Sequence, residues 1–199
     1  MDRKAREQFL EECLRVRDWE ALATARLPAG GVLRRLVHLL QRPDELLSWR
    51  AVEALGRFAA RQSPREPLVE ETLRGLFWMM NDESGNLCRK APEAVGAVLA
   101  FCPGYLPAFG PLLPPFLHEE PFEAGALWAL CLIRERTGSS PEPDPVDLQA
   151  SLDSPEPRRR GLALRYLRLS GLPATGPPAR FTDYDLRRGL LTEAAEPPR

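Results

Sequence analysis

Lysine is nearly absent from this 199-residue chain, although basic charge is not: of 27 lysines and arginines only Lys4 and Lys90 are lysine. The basic residues are balanced by 28 aspartates and glutamates, so the formal charge is -1. This near-neutrality excludes the broad positive field typical of dedicated nucleic-acid binders and of proteins held to a membrane surface by basic charge. Four cysteines are too few for a secreted fold held together by disulfides.

Recognisable catalytic and metal-binding motifs are also missing. The chain has no GxSxG, HExxH, P-loop or GxGxxG pattern, and its cysteines and histidines are scattered: Cys13, Cys88, Cys102, Cys131, His38 and His118. We therefore predict no catalytic residue, no metal site and no cofactor, and expect each cysteine to pack as a small apolar residue. Cys88 has an alternative as a reactive thiol, because Arg89 and Lys90 follow it. In the polar loop 81–86, we expect Asp82 or Ser84 to cap a helix.

Two segments bear on membrane association. Residues 1–20 carry eleven charges and no apolar core, so we expect no signal peptide here. Residues 94–117 lack any charge for 24 positions, but contain five prolines, which interrupt helices. We expect a helix to end at Pro103-Gly104 and the protein to be cytoplasmic, with no membrane partner.

The strongest feature of the sequence is an internal repeat. Residues 49–56, WRAVEALG, align with residues 89–96, RKAPEAVG, at an offset of 40, and Ala, Glu, Ala and Gly recur in place. A third copy, residues 124–131, lies 35 positions further on, and a weaker one at 161–167 follows after 37 more. An apolar segment with helical spacing and a polar turn precede each copy. This periodicity is typical of stacked helical repeats.

Each unit thus reads as helix, polar turn and helix. Small residues such as Gly56 recur where a second helix should meet the next unit, because bulk there would separate the layers. We predict one domain over residues 1–170 that comprises a cap helix at 1–28 and repeats at about 30–62, 66–102, 104–137 and 145–170. Residues 171–199 form a Pro-rich, partly extended tail, and Phe181–Leu186 alternates as a strand does.

The two-helix unit with an Asp-bearing turn and a WRAVEALG-type second helix resembles HEAT repeats, most closely the HEAT-like repeats first described in phycobilin lyases. The segment from Phe77 to Gly96, with residues 127–130, is similar to small uncharacterised HEAT proteins of sulfate-reducing bacteria. The resemblance covers roughly residues 30–170. It implies an all-α fold: a short right-handed α-solenoid of about four HEAT-like hairpins behind an N-terminal cap helix.

In a HEAT stack the second helices line the concave face, which makes that face the candidate binding site. Glu53 and Glu93 occupy equivalent positions on successive second helices, and we expect exposed indoles and cations one turn away from them. We call the surface that these residues would form together the ladder. Trp and Arg are common in binding hot spots. The predicted ladder comprises Trp49, Arg50, Glu53, Arg89, Lys90, Glu93 and Trp128. The alternative is structural: Arg50 and Lys90 pair with Glu53 and Glu93 at helical spacing, and the tryptophans are core.

A secondary basic patch lies near the C-terminal end, at Arg158, Arg159, Arg160, Arg165 and Arg168. With Arg180, Arg187 and Arg188 against Asp183 and Asp185, the segment 158–188 carries a formal charge of +6. Such a patch can contact phosphates or an acidic partner. The alternative is a solvated face of the last repeat, neutralised by the acidic stretch 142–156.

Our first functional hypothesis is a non-catalytic scaffold that binds another protein or peptide through the concave face. The second is a nucleic-acid-binding or DNA-glycosylase-like HEAT protein. Proteins of that kind depend on a basic concavity, whereas Glu53 and Glu93 stand here. The third, by resemblance alone, is a tetrapyrrole (chromophore) lyase-like protein.

Overall fold

The computed structural model describes residues 2–62, 66–81 and 87–196, and it is predominantly helical. The helices are α1 (Arg3–Val16), α2 (Trp19–Thr24), α3 (Ala29–Leu39), α4 (Glu45–Ala59), α5 (Pro67–Met80), α6 (Ala91–Phe101), α7 (Leu106–Phe109), α8 (Glu123–Thr137), α9 (Pro145–Leu152) and α10 (Pro157–Leu169). Two strands follow, β1 (Ala179–Asp185) and β2 (Leu190–Glu196). The helical class that the sequence predicts is confirmed. The predicted caps Asp82 and Ser84 lie outside the described residues.

The second helices form a continuous layer in chain order: α4 packs on α6, α6 on α8, and α8 on α10. On them pack their preceding partners, α3 on α4, α5 on α6, and α9 on α10. Aspartates and prolines define several helix starts. The Asp44 side chain accepts a hydrogen bond from the Leu47 amide at 3.0 Å, and Pro67 and Pro157 occupy first positions, where no amide hydrogen is required.

Glycines on the second helices allow the layer to pack closely. A methyl group added at Gly56 would lie 2.7 Å from the Ala97 carbonyl oxygen. One added at Gly96 would lie 2.5 Å from the Cα of Ala129. Real side chains do not approach backbone this closely, so neighbouring helices meet at these two positions because they carry no Cβ. The role predicted for the recurring small residue is confirmed.

The N-terminal segment differs from the single cap helix predicted for residues 1–28. The chain turns at Arg17, whose φ is 56°, and resumes as α2 after Asp18, whose side chain accepts a hydrogen bond from the Ala21 amide at 2.8 Å. Asp18 is a helix-capping residue that the apolar pattern does not reveal. Both α1 and α2 pack against α4.

The apolar segment before the third copy, Leu106 to Leu117, is predicted from its spacing as the first helix of that repeat, and this helix is also interrupted. Only Leu106–Phe109 is α-helical, and the flanking segments are short 3₁₀ turns at Pro103–Tyr105, Gly110–Leu112 and Pro114–His118. Repeated prolines remove the amides that a continuous helix needs. Among the described residues no single helix has the length and apolar character to cross a membrane. One pair, Ala91–Phe101 with Pro103–Leu112, reaches them only across a bend of 109°.

The all-α prediction needs one correction, because the C-terminal segment folds as a β-hairpin. β1 and β2 are antiparallel, with Ala179 opposite Glu196 and Asp185 opposite Leu190. The strand that the alternation at 181–186 predicts is present. Both strands pack on α10, and this places the hairpin over the second-helix layer.

Candidate functional site

The predicted ladder does not form an open groove, because three of its residues, Trp49, Arg50 and Glu53, contact the C-terminal hairpin. Four of the seven are buried: Trp49 and Glu53 on α4, Glu93 on α6 and Trp128 on α8. Only 1% of the Trp49 surface is exposed. The remaining three are half-buried Arg50 and Lys90 and exposed Arg89. Of the two alternatives for the indoles, exposed or core, the second holds for Trp49 and Trp128, since both are buried.

Trp49 is the centre of an aromatic and cationic cluster. The Tyr184 ring of β1 stacks on its indole at 5.5 Å between centroids and 4° between planes, and Trp128 lies 5.0 Å away at 53°. The Lys90 Nζ lies 3.7 Å from the indole centroid and the Arg158 Cζ 5.4 Å from it. Burial lowers the pKa of Lys90. The indole is therefore already occupied by side chains of its own chain.

Glu53 is a fully buried carboxylate that joins three parts of the molecule. Its Oε1 accepts hydrogen bonds from the Arg17 Nη2 at 2.8 Å and the Arg57 Nε at 2.7 Å. Its Oε2 accepts one from the Tyr184 hydroxyl at 2.6 Å. A carboxylate is buried at acceptable cost only with such partners. Burial, together with this hydrogen bond, raises the pKa of Tyr184 far above its ordinary value, so the phenol remains a donor.

Two arginines hold the tip of the hairpin by its main chain. The Arg17 Nη2 donates to the Leu186 carbonyl oxygen at 2.6 Å. The Arg50 Nε and Nη2 donate to the Gly189 carbonyl oxygen at 3.2 and 3.1 Å. Gly189 has a φ of 70°, and a Cβ there would displace the Arg17 side chain, so glycine is favoured at this position. Arg50 thus contacts the hairpin, and not Glu53 as the structural alternative predicts.

Glu93 repeats part of the Glu53 arrangement on α6. Its Oε1 accepts a hydrogen bond from the Arg158 Nη2 at 3.1 Å and lies 3.8 Å from the Lys90 Nζ. The pairing predicted at helical spacing therefore occurs for Lys90. The second oxygen, Oε2, is buried and makes no hydrogen bond with any described residue. Gly125 lies against it, since an added methyl group there would be 2.6 Å from Oε2.

All five arginines of the secondary basic patch make contacts within the chain. Arg165 contacts Asp183 at 2.6 Å and Glu196 at 2.8 Å, and Arg168 contacts Glu196 at 2.9 Å. The other contacts are Arg158 with Glu93, Arg159 with Glu123, and Arg160 with the Ser154 carbonyl oxygen. The neutralising carboxylates come from the hairpin, α6 and α8, and not from residues 142–156 as predicted.

Sequence reasoning missed the residues that cover the ladder. Arg17 and Tyr184 were not candidates, and neither were Asp183 and Glu196, the hairpin carboxylates that bind α10. The alternation of residues 181–186 and Gly189 after the strand are signals of a hairpin. No local pattern indicates which face of the helices that hairpin covers.

The cysteines are placed as packing residues. Cys13, Cys88 and Cys131 are buried, Cys102 is half-buried, and all four are free. Burial raises the pKa of the Cys88 and Cys102 thiols to about 11. The basic neighbours of Cys88 therefore do not make it a thiolate. Within residues 2–62, 66–81 and 87–196, no group of three or more His, Cys, Asp or Glu side chains could hold a metal ion.

Comparison with known proteins gives little information on family. No protein-family model matches the chain. A protein of Archaeoglobus fulgidus described as uncharacterised is 36% identical over 64 residues, which are 32% of this chain and 32% of that protein. The chain thus matches about a third of that relative's length. No solved structure matches.

Proposed function

We propose that the protein is a non-catalytic, cytoplasmic protein-binding scaffold, built as a short right-handed α-solenoid of HEAT-like hairpins of the phycobilin-lyase type. The spacing of the repeat supports this assignment. So does the layer α4, α6, α8 and α10, in which glycines at equivalent positions, Gly56 and Gly96, contact the next helix. Repeat stacks of this kind present extended surfaces that bind polypeptides.

One observation carries the binding proposal: the second-helix layer already holds a polypeptide segment, namely its own C-terminal hairpin. We call the residues that contact it the hairpin-binding face: Arg17, Trp49, Arg50, Glu53 and Arg165. Two of them, Arg17 and Arg50, bind main-chain carbonyls, which any polypeptide offers whatever its side chains. A partner segment binds at this face when the hairpin is released.

Binding of a partner segment in place of the hairpin assigns a role to each part of the hairpin-binding face. Trp49 supplies a stacking surface for an aromatic side chain, as it does for Tyr184. Glu53 accepts a hydroxyl hydrogen bond beside that ring. The preferred segment is therefore extended, with a tyrosine at the position of Tyr184. The hairpin competes with the partner for this face and keeps partner binding weak until the hairpin is displaced. The reason is that the partner can bind only the fraction of molecules in which the face is open, which reduces its apparent affinity.

The other two hypotheses find less support. A nucleic-acid partner needs unpaired cations, whereas Arg158, Arg159, Arg165 and Arg168 each contact a carboxylate of the chain. No particular feature of the described residues supports a tetrapyrrole lyase.

Affinity capture with variants of the face tests the proposal. The wild type is compared with Tyr184→Ala, which loosens the hairpin, with Tyr184→Ala/Arg50→Gln, which also removes the guanidinium that would bind a partner's main-chain carbonyl, and with the matched control Tyr184→Ala/Arg180→Gln. Arg180 is an exposed arginine on β1. Each bait is first shown by circular dichroism to be folded.

We expect Tyr184→Ala to recover a partner more strongly than wild type, the Arg50 double variant to lose it, and the Arg180 control to retain it. Equal recovery by all four baits would show that the hairpin-binding face does not bind the partner.

A further inference from the structure

A cavity between α1 and α3 lies apart from the hairpin-binding face, none of whose residues line it. Its volume is about 710 Å³. We call it the α1–α3 cavity and define it by six of the residues that line it: Arg6, Leu10, Pro28, Gly31, Val32 and Arg34. The volume falls within the roughly 300–1,000 Å³ that is typical of small-molecule sites, so it points to a small ligand and not to a second macromolecule.

The floor of the cavity is apolar. Leu10 of α1 and Val32 of α3 are buried there as part of the core, and Leu27 packs against that core. Gly31 widens the cavity, since a methyl group added there would meet no atom within 4 Å. Glycine in a helix is less favourable than alanine, and no contact with the described residues requires it at this position. The floor thus offers open apolar surface that an alkyl chain can cover.

The rim of the cavity is basic. Arg6, Arg34 and Arg35 line it, against the single carboxylate of Glu7. Arg35 is engaged within the chain, because its Nη1 lies 3.6 Å from the Glu7 Oε1 and its Nη2 lies 3.1 Å from the Glu11 Oε1. Arg34 is exposed, and its Nε donates to a main-chain carbonyl oxygen of α3 at 3.1 Å. Its two Nη groups have no partner among the described residues, so they are free to bind an anion.

The start of α3 adds to the positive potential of the rim. The helix begins at Ala29 behind Pro28, and no side chain caps it. Uncapped amides at a helix N-terminus carry partial positive charge. Pro28 and Gly31 line the cavity, so this helix start lies beside it. The charge around the α1–α3 cavity is therefore complementary to an anion.

We propose that the α1–α3 cavity binds a single-chain amphipathic anion of the fatty-carboxylate class. The alkyl chain lies on Leu10, Leu27 and Val32, and the carboxylate accepts hydrogen bonds from the Nη groups of Arg34 at the rim. Burial of the chain supplies most of the affinity, and the pairing of arginine with carboxylate fixes the orientation. The proposal does not rest on the hairpin-binding face.

Isothermal titration calorimetry with dodecanoate, below the concentration at which it aggregates, tests both parts of the site. The wild type should bind dodecanoate saturably. Decanoate and octanoate should bind progressively more weakly, by about two- to fourfold for each methylene group removed. Dodecyltrimethylammonium, which carries the opposite charge on the same chain, should bind at least about fivefold more weakly than dodecanoate. Equal binding of the cation, or no dependence on chain length, would contradict the proposal.

Two variants locate the binding. Arg34→Gln should weaken dodecanoate binding about tenfold, whereas the matched control Arg89→Gln should bind as wild type does, because Arg89 is exposed and does not line the cavity. Gly31→Leu places a side chain in the cavity and should abolish binding. Its thermal stability should equal or exceed that of wild type, since leucine favours a helix more than glycine does, so the loss of binding cannot be a loss of folding.

Three results would overturn the proposal. The first is a wild type that does not bind dodecanoate below its aggregation limit, and the second is binding that Arg34→Gln and Gly31→Leu leave unchanged. The third is co-sedimentation with vesicles of anionic lipid without binding of dodecanoate, which would assign the basic rim to a membrane surface.

Discussion

Gly96→Ala is the sharpest test of the helix layer, because it adds a single methyl group at the closest approach of α6 and α8. That methyl group would lie 2.5 Å from the Cα of Ala129, and one added at the equivalent position of α4, Gly56, would lie 2.7 Å from the Ala97 carbonyl oxygen. Backbone atoms cannot rotate away as a flexible side chain can. The helices must therefore separate, and the contacts around Ala129 loosen.

The magnitude follows from two opposing effects. Overpacking of a tight core costs about 1–3 kcal/mol, and a backbone neighbour places this case in the upper part of that range. Alanine in place of a helical glycine returns about 0.5–1 kcal/mol. The free energy of unfolding should thus fall by about 1–2.5 kcal/mol. With a urea dependence of about 2 kcal/mol/M, the midpoint of unfolding falls by about 0.5–1.25 M.

Urea unfolding at low micromolar protein, followed by circular dichroism, measures this difference. Gly75→Ala is the control, because its added methyl group meets no atom within 4 Å. Its midpoint should rise by about 0.25–0.5 M, from the helix preference alone. If Gly96→Ala were as stable as the wild type, α6 and α8 would not meet at this glycine and the layer would be packed differently.

Three further predictions concern single groups. Tyr184→Phe removes the hydrogen bond to the Glu53 carboxylate and should lower the free energy of unfolding by about 1.5–3 kcal/mol, measured by urea unfolding; a loss below about 0.5 kcal/mol would mean that the bond is not formed. The hydrogen bond from Arg42 holds the pKa of Glu11 below its ordinary value of 4.5. This contribution is present above pH 4.5 and is lost as pH falls through the lowered value, so Glu11→Gln should show a smaller loss of thermal stability on acidification than wild type. Cys102, the only half-buried thiol, should react first with a thiol reagent in the native state, and Cys102→Ser should remove that fast phase; a fast phase that survives would contradict the assignment.

The sequence is sufficient to predict the elements whose interactions are local or repeated. The second helices have correct positions because Ala, Glu and Gly recur at offsets near 40, and each recurrence repeats one physical requirement, close packing at Gly56 and Gly96. Interruptions within the helices were harder to predict. The helix at 106–117 fails because several prolines act together, and α1 ends at Arg17 because the Asp18 cap competes with continuation of the helix.

The candidate site was predicted in part, since its residues do meet but are covered. The hydrogen bond between Tyr184 and Glu53 joins residues 131 positions apart, and no helical or strand period relates them. The charges of the side chains alone also did not determine which residues pair with each other. Arg50 and Lys90 are equivalent in the repeat, yet Lys90 approaches Glu93 while Arg50 binds the Gly189 carbonyl oxygen. The difference arises because the hairpin tip lies over α4 and offers a nearer acceptor.

Glu53 and Glu93 show how a repeat position can set long-range structure. Each carboxylate has one basic neighbour on or beside its own helix, Arg57 or Lys90, and one arginine from a distant segment: Arg17 after α1 for Glu53, and Arg158 on α10 for Glu93. A buried carboxylate without partners is strongly destabilising, so each recruits a segment from one end of the chain. The glycines thus determine how the second helices pack, and the glutamates one turn earlier determine which end segments cover them. Release of β1 and β2 consequently leaves Glu53 bound to Arg17 and Arg57, so its charge stays neutralised when Tyr184 leaves.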